Sequence, residues 1–221
     1  MLAFLVSLAV VLSTPYSDEN TNASHTAQAL ELAQILHQQG FENIIVANHG
    51  ISKNSIRQDA VNLTILARTW QKKGYRIAVI GYSRGGNVAL YAQTIMAMNA
   101  SKLVLIEAPI RGAPECILRL VGQNMSYQGA KDLVRDSQPN QELQAAFARD
   151  QNKTKILEIS GFLAQTFAGG YPFDTFMPVG NNIYRTWQPI HLGKGWLEPE
   201  VISATTNFLL NDSRDFLFFP T

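Results

Sequence analysis

The chain has 221 residues, a formal net charge of +1 and 46% hydrophobic residues, which suits a single domain with a substantial core over residues 1–221. Because the Lys and Arg residues are scattered, neither the charge nor its distribution favours a nucleic-acid partner. The single cysteine, Cys116, excludes an internal disulfide, and no Cys/His cluster has metal-ligand spacing, so we expect no metal or other cofactor. We expect Cys116 to be buried as a small apolar side chain.

The N-terminal sequence MLAFLVSLAVVLSTPYS contains an apolar run, Leu2 to Leu12, that has two interpretations. The run suits the central region of a signal peptide, but no Lys or Arg precedes Lys53 and no A-x-A site follows. It is too short to cross a bilayer as a helix. A parallel strand that is covered on both faces would be equally apolar throughout. We favour the strand, and with it a cytoplasmic over a secreted location.

Apolar runs and helical patterns alternate along the chain, which predicts an α/β fold with a doubly wound, mostly parallel sheet of about five to six strands. The strand candidates, in chain order, are LVSLAVVLS, ENIIVANHG, RIAVIGYS, SKLVLIEAP and TKILEISG. Helical patterns follow the first two strands, and Gly40 and Gly74 stand at their C-cap positions. A third helix follows the third strand as far as about Asn99, and a last one starts near Pro199.

One stretch interrupts the alternation. Between Pro109 and Lys153 the sequence carries helical patterns but no strand. An excursion of this length is usually functional or forms a small subdomain. We therefore expect residues 110–152 to form a helical cap insertion, for which a mobile lid and a decorated helical crossover are both open.

The segment IAVIGYSRGGNVAL, Ile77 to Leu90, places a serine between glycines where a predicted strand meets a predicted helix. Residues 81–85, GYSRG, match the G-x-S-x-G pattern of a nucleophile elbow, in which a sharp turn exposes the serine hydroxyl. The strand before the turn and the helix after it are the context that this motif needs. We therefore predict Ser83 as a nucleophile.

A serine hydroxyl needs a base to take its proton and a third group to orient that base. After such an elbow the acid and then the histidine follow in chain order, and His191 is the only histidine after Ser83. For the acid we prefer Asp174, in the loop GGYPFDTFMPVGN, over Glu158, which lies inside a predicted strand. Glu107, at the end of the fourth strand, is the alternative. Both residues also have a non-catalytic interpretation. His191 could be a solvated loop histidine, and Asp174 could stabilise a turn beside Pro and Gly.

Five segments, in this order, resemble the α/β-hydrolase superfamily and within it the bacterial lipase-like hydrolases. GYSRGG is similar to the G-[HY]-S-x-G-G elbow, and IEAPIRGAP to the T-P-H-x-G-[ST]-P run, with Ile110 in place of the histidine. GAKDLVRDSQPNQEL resembles a segment of the cap, FDTFMPVGN the loop with the triad aspartate, and HLGKGWLEPEVISATTNFL the histidine loop and final helix. The resemblance implies a minimal, cutinase-sized α/β-hydrolase fold with Ser83 as nucleophile, Asp174 as acid and His191 as base.

The oxyanion of a tetrahedral intermediate needs two backbone N–H groups that already point at it. One is predicted to be that of Arg84, directly after the nucleophile. In the strand order of α/β-hydrolases the second comes from the loop after the first strand of this chain, STPYSDEN. Because Pro15 lacks an N–H, we predict Tyr16, with Thr14 as second choice. The NHG sequence at 48–50 resembles a His-Gly oxyanion dipeptide, but it belongs to a strand that lies one place further from the elbow in that order.

Together these residues predict a serine carboxylic-ester hydrolase, a lipase or esterase, that acts through an acyl-enzyme on a small-molecule ester with an apolar acyl chain. Transient contact with a lipid interface is compatible with this function. A thioesterase or acyltransferase with the same triad, and a non-catalytic hydrolase-fold binding protein, are the alternatives. Aromatic residues that suit an acyl chain, or ordinary core packing, are Phe162, Phe167, Tyr171, Phe173, Phe176, Trp187 and Trp196.

Overall fold

A computed structural model of the protein describes residues 7–14, 22–49, 53–120, 123–147, 155–161, 182–186 and 195–211. These residues form a six-stranded sheet with helices on both faces. The strands are β1 (Leu8–Ser13), β2 (Asn43–Ala47), β3 (Arg76–Tyr82), β4 (Lys102–Ile106), β5 (Lys155–Gly161) and β6 (Asn182–Thr186). The helices are α1 (Asn22–Gln38), α2 (Ile56–Lys72), α3 (Arg84–Thr94), α4 (Glu115–Leu120), α5 (Gln128–Lys131), α6 (Gln138–Phe147) and α7 (Pro199–Leu210).

The sheet has the strand order β2-β1-β3-β4-β5-β6, and every neighbouring pair is parallel. The strand interpretation of the first apolar run is confirmed, because Val11 pairs with Ile45 of β2 on one side and with Val79 of β3 on the other. Residues 9–12 are fully buried, which explains why this run has no polar face. The order also confirms that β1, and not β2, is the neighbour of the elbow strand.

Successive side chains of the strands divide between two cores, as the pleat of a sheet requires. On one face Ala9 and Val11 pack with residues of α2 and α3. On the other face Val10 and Leu12 pack with residues of α1 and α7. Each of these apolar side chains contributes about 1–3 kcal/mol on burial, so the sheet is the rigid base from which the loops at its carboxyl edge extend.

Three details differ from the sequence-based expectations. Helix α3 ends at Thr94, earlier than predicted, and the left-handed φ angles of Ala97 (49°) and Asn99 (62°) prevent it from continuing. Strand β6 was not predicted, because its short sequence NIYRT has a weak alternation and is specified by pairing with β5. The expected burial of Cys116 is wrong, since this side chain is exposed on α4.

Helices α4 to α6 occupy the described part of the predicted insertion, and polar contacts join Asp132, directly after α5, and helix α6 to the helices that cover the sheet. Asp132 Oδ2 accepts a 2.7 Å hydrogen bond from the N–H of Ile56, at the start of α2. Glu142 of α6 accepts hydrogen bonds from the Tyr91 hydroxyl and, at 2.7 Å, from Arg57 Nη2. The function of this insertion as a cap or lid stays a prediction. Within the ranges that the structure describes, no helix is both long enough and apolar enough to span a bilayer.

Lys102, the first residue of β4, is buried beneath the end of α7. Its Nζ donates to the carbonyl oxygens of Phe208, Leu209 and Asn211 at 3.0, 2.7 and 3.0 Å. Carbonyls at a helix end lack partners within the helix, and a cation complements their partial negative charge. We expect Lys102→Met to lower the free energy of unfolding by about 2–3 kcal/mol in urea titrations. Replacement of the exposed Lys131 by Met is the control, and equal effects of the two substitutions would contradict the capping role.

Candidate active site

Ser83 lies on the turn between β3 and α3, with a φ of 51° and a ψ of −127°. This left-handed φ costs an ordinary residue about 1–2 kcal/mol, so the neighbouring structure must hold it. The Ser83 N–H donates to the carbonyl of Ile106 at 2.8 Å, and its own carbonyl accepts from the N–H of Gly86 at 2.9 Å. Ser83 is partly exposed, whereas Tyr82 and Arg84 on either side are buried. The strand, sharp turn and helix that the G-x-S-x-G motif requires are thus present, while the role of Ser83 as nucleophile stays a prediction.

Two glycines of the motif are explained by close backbone contacts. A Cβ atom added to Gly81 would lie 2.6 Å from the Cα of Gly86, where α3 begins. A Cβ atom added to Gly85 would lie 2.2 Å from the carbonyl oxygen of Ser13, at the end of β1. No side chain fits at these distances, so the glycines allow the helix to leave the strand tightly and to press against the neighbouring strand.

A hydrogen-bond network joins the ends of β1 and β2 to this turn. Ser13 Oγ donates to the carbonyl of Gly85 at 2.8 Å and lies 2.8 Å from His49 Nε2. Because the hydroxyl proton goes to the carbonyl, Nε2 of His49 must carry the proton of the second bond. The backbone N–H of His49 donates a second hydrogen bond, to Thr14 Oγ1 at 3.1 Å. The sequence analysis considered His49 only as part of the NHG sequence at the end of a predicted strand and did not predict its contact with Ser13.

The histidine of this network makes stability depend on pH. Burial, opposed by the Asp59 carboxylate and assisted by the Arg84 guanidinium, lowers the pKa of His49 from 6.5 to about 4. Between these two pH values the unfolded chain binds a proton at His49 and the folded protein does not. The contribution of His49 to the free energy of unfolding is therefore fully present above pH 6.5 and is lost as the pH falls towards 4. We expect His49→Gln to reduce the loss of unfolding free energy between neutral and weakly acidic pH by about 2 kcal/mol. Urea titrations at several pH values test this, and an unchanged loss would contradict it; exposed His37→Gln is the control.

The Arg84 side chain is anchored in a buried ion pair. Arg84 Nη1 lies 2.8 Å from Asp59 Oδ2 of α2, and the two side chains are only 1% and 2% exposed. Arg84 Nη2 also donates to the carbonyl of Asn54 at 3.1 Å, and Asn54 Nδ2 donates to Asp59 Oδ1 at 3.1 Å. These contacts fix the backbone of the residue that is predicted to provide the first oxyanion donor. Sequence patterns did not reveal the pair.

The other predicted site residues differ in what the structure says about them. Asp174, His191 and Tyr16 lie outside the described residues, so their assignments stay predictions. The N–H of Thr14, the second choice as an oxyanion donor, donates to the carbonyl of Ala47 at 3.2 Å and is therefore already used at the sheet edge. In the described parts of the chain, no group of three His, Cys, Asp or Glu side chains could hold a metal ion.

Tyr82, directly before Ser83, supports the segment that follows His191. A Cβ atom added to Gly195 would lie 3.0 Å from the Tyr82 Cζ, and Gly195 has a left-handed φ of 60°. The rings of Tyr82 and Trp196 pack with centroids 5.5 Å apart. Burial and the charge of Glu107 raise the pKa of Tyr82. Trp196 is therefore a core residue here, and the other aromatic residues proposed for an acyl site lie outside the described ranges.

Glu107 directly follows β4, the strand beside the elbow strand. It is 1% exposed and has a φ of 51°, the same as that of Ser83. Its N–H donates to the carbonyl of Ile159 at 2.9 Å, and its Oε1 accepts a hydrogen bond from the N–H of Gly161, at the end of β5. The alternative acid of the sequence analysis is thus buried at the carboxyl edge of the sheet, close to the predicted nucleophile.

Comparisons with known proteins show the fold. No protein-family model and no curated protein matches the chain. Mature lipase BlEst2 of Bacillus licheniformis superposes with a TM-score of 0.62 at 15% identity, over 91% of this chain and 93% of that one. Monoacylglycerol lipase of Paleococcus ferrophilus superposes with a TM-score of 0.55 at 12% identity, over 90% and 93%. Phospholipase PlaB of Legionella pneumophila superposes with a TM-score of 0.54 at 15% identity over 70% of this chain. The match covers only 38% of the length of PlaB. The chain therefore has the α/β-hydrolase fold, as the resemblance implied.

Proposed function

We propose that this protein is a serine carboxylic-ester hydrolase of the lipase and esterase type. The observation that carries the proposal is Ser83, which is partly exposed on a left-handed turn at the carboxyl edge of the sheet. Strained backbone of this kind persists where surrounding contacts hold it, and it is common at active sites. The shared fold with lipases supports an ester substrate, and the resemblance of FDTFMPVGN and HLGKG to triad loops supports Asp174 and His191 as partners of Ser83.

In the proposed reaction Ser83 Oγ attacks the acyl carbonyl carbon while His191 accepts the hydroxyl proton. Asp174 orients His191 and stabilises its positive charge. The tetrahedral intermediate collapses, the ester C–O bond breaks, and His191 gives the proton to the departing alcohol. Water, deprotonated by His191, then attacks the acyl carbonyl carbon and forms a second tetrahedral intermediate. When this intermediate collapses, the bond to Ser83 Oγ breaks, His191 returns the proton to that oxygen, and the acid is released.

The position of Arg84 favours stabilisation of the oxyanion. Its N–H is the first of helix α3, where the helix dipole carries a partial positive charge. The buried ion pair with Asp59 holds this residue in place, so the donor needs little reorganisation during the reaction. The second donor is proposed to be the N–H of Tyr16.

The proposed substrate is a small-molecule ester with an apolar acyl chain, with transient contact to a lipid interface and no nucleic-acid partner. The decisive experiment is the intact mass of the protein after incubation with a fluorophosphonate, for the wild type and for Ser83→Ala. We expect one adduct on the wild type and none on the variant, followed by turnover of p-nitrophenyl esters. An adduct on neither protein would contradict an activated Ser83, and adduct formation without hydrolysis of any ester would contradict the proposed substrate class.

A further inference from the structure

Two neighbouring strands are each followed directly by a residue with a left-handed φ angle at the same edge of the sheet. Ser83 follows β3 and Glu107 follows β4, and each has a φ of 51°. Non-glycine residues adopt this conformation only where their surroundings hold them in it. The nucleophile elbow accounts for Ser83, but the proposed reaction gives no reason for the conformation of Glu107.

The ladder between β4 and β5 explains what this conformation does. Ile106 pairs with Ile159, and the next hydrogen bond runs from the Glu107 N–H to the Ile159 carbonyl at 2.9 Å. In a regular parallel ladder the carbonyl of Glu107 would then accept from the N–H of Gly161. Instead the backbone turns at Glu107, and its carboxylate Oε1 accepts from Gly161. The side chain thus replaces a main-chain acceptor of the sheet.

This replacement links the strand end beside the predicted nucleophile to the end of β5. On one side the Ser83 N–H donates to Ile106, the residue before Glu107, at 2.8 Å. On the other side Gly161 is the last residue of β5, where it also pairs with Thr186 of β6. The chain that contains Asp174 continues from Gly161. Glu107 therefore allows β4 to turn away beside Ser83 while β5 keeps its position up to its last residue.

We infer that Glu107 is a positioning residue for the proposed hydrolase, which holds the end of β5, and with it the start of the segment bearing Asp174, through the N–H of Gly161. This inference rests on the proposed function, but Glu107 transfers no proton in it. In the alternative, Glu107 itself orients His191 in place of Asp174. The two roles differ in what they predict for Glu107→Gln, which removes the negative charge of Glu107.

Three substitutions separate these alternatives. Glu107→Gln keeps an oxygen that can accept from Gly161, whereas Glu107→Ala removes it, and Asp174→Asn changes the proposed acid. We expect Glu107→Ala to lower kcat by about 10- to 100-fold with KM within about twofold, since a misplaced acid acts mainly in the transition state. Glu107→Gln should stay within about threefold of the wild-type kcat, and Asp174→Asn should lose about 1,000-fold or more. Glu107→Gly serves if the alanine variant does not fold, because glycine adopts the left-handed φ freely.

A second readout does not depend on activity. Hydrogen exchange of the Gly161 amide, followed by NMR, should be faster in Glu107→Ala than in both the wild type and Glu107→Gln. If the protein does not hydrolyse esters, this readout still decides whether Glu107 holds Gly161, so failure of the two ideas can be told apart. The inference is overturned if Glu107→Gln is as inactive as Asp174→Asn, or if Glu107→Ala keeps wild-type exchange at Gly161.

Discussion

Ser83→Ala is expected to reduce ester hydrolysis by about 10⁴- to 10⁶-fold, the loss seen when a triad serine is removed. The substitution removes the attacking oxygen but leaves the fold unchanged, because Ser83 is partly exposed and alanine meets the same cost at a φ of 51°. Initial rates with p-nitrophenyl butyrate and a thermal melt of the same sample measure both properties. A variant with wild-type rates would contradict the mechanism.

Ser83→Gly is the matched control for strain at this position. Glycine adopts a left-handed φ without the steric cost, although it loses more chain entropy on folding. We therefore expect an equally inactive protein whose free energy of unfolding is unchanged or higher by up to about 1 kcal/mol. A clearly less stable glycine variant would contradict the presence of strain at Ser83.

Asp59→Ala is expected to lower the free energy of unfolding by about 3–5 kcal/mol, the largest stability effect that we predict. The Arg84 guanidinium, only 1% exposed, would lose the carboxylate at 2.8 Å that compensates its burial. Urea titration at neutral pH measures the effect. Glu115→Ala is the control, because the Arg119–Glu115 pair is 62% and 50% exposed and should contribute less than about 1 kcal/mol.

The double variant Asp59→Leu with Arg84→Met tests whether the loss arises from an uncompensated charge. Apolar side chains of similar size often replace a buried ion pair with little loss of stability. We therefore expect the double variant to be more stable than Asp59→Ala. If Asp59→Ala itself unfolds within 1 kcal/mol of the wild type, the ion pair is not the support that its burial indicates.

The sheet was predictable because its signals are local. The continuous apolar run of β1 indicated a strand covered on both faces, and the glycines around Ser83 indicated the tight turn. Strand β6 was missed, because five mixed residues carry little pattern and acquire their conformation from pairing with β5. Element type thus followed from periodicity where the pattern was strong.

The polar contacts around the candidate site were not predictable in the same way. Arg84 and Asp59 come from different helices, and nothing in either sequence context marks a charged residue for burial. The hydrogen bond from His49 to Ser13 depends on two strand ends that meet only in the folded sheet. The left-handed φ of Glu107 is likewise invisible, since glutamate rarely adopts it and no glycine announces the turn.

The position of β1 also has a consequence for synthesis of the chain. β1 precedes both of its neighbours, β2 and β3, in the chain, and its partners on the β3 side are residues 76–81. Until β3 has emerged from the ribosome, one edge of the apolar strand β1 has no pairing partner. Unpaired apolar edges of this kind bind other chains and chaperones during translation. The position between two strands that buries β1 in the finished sheet thus leaves it without one of its partners while the chain is being synthesised.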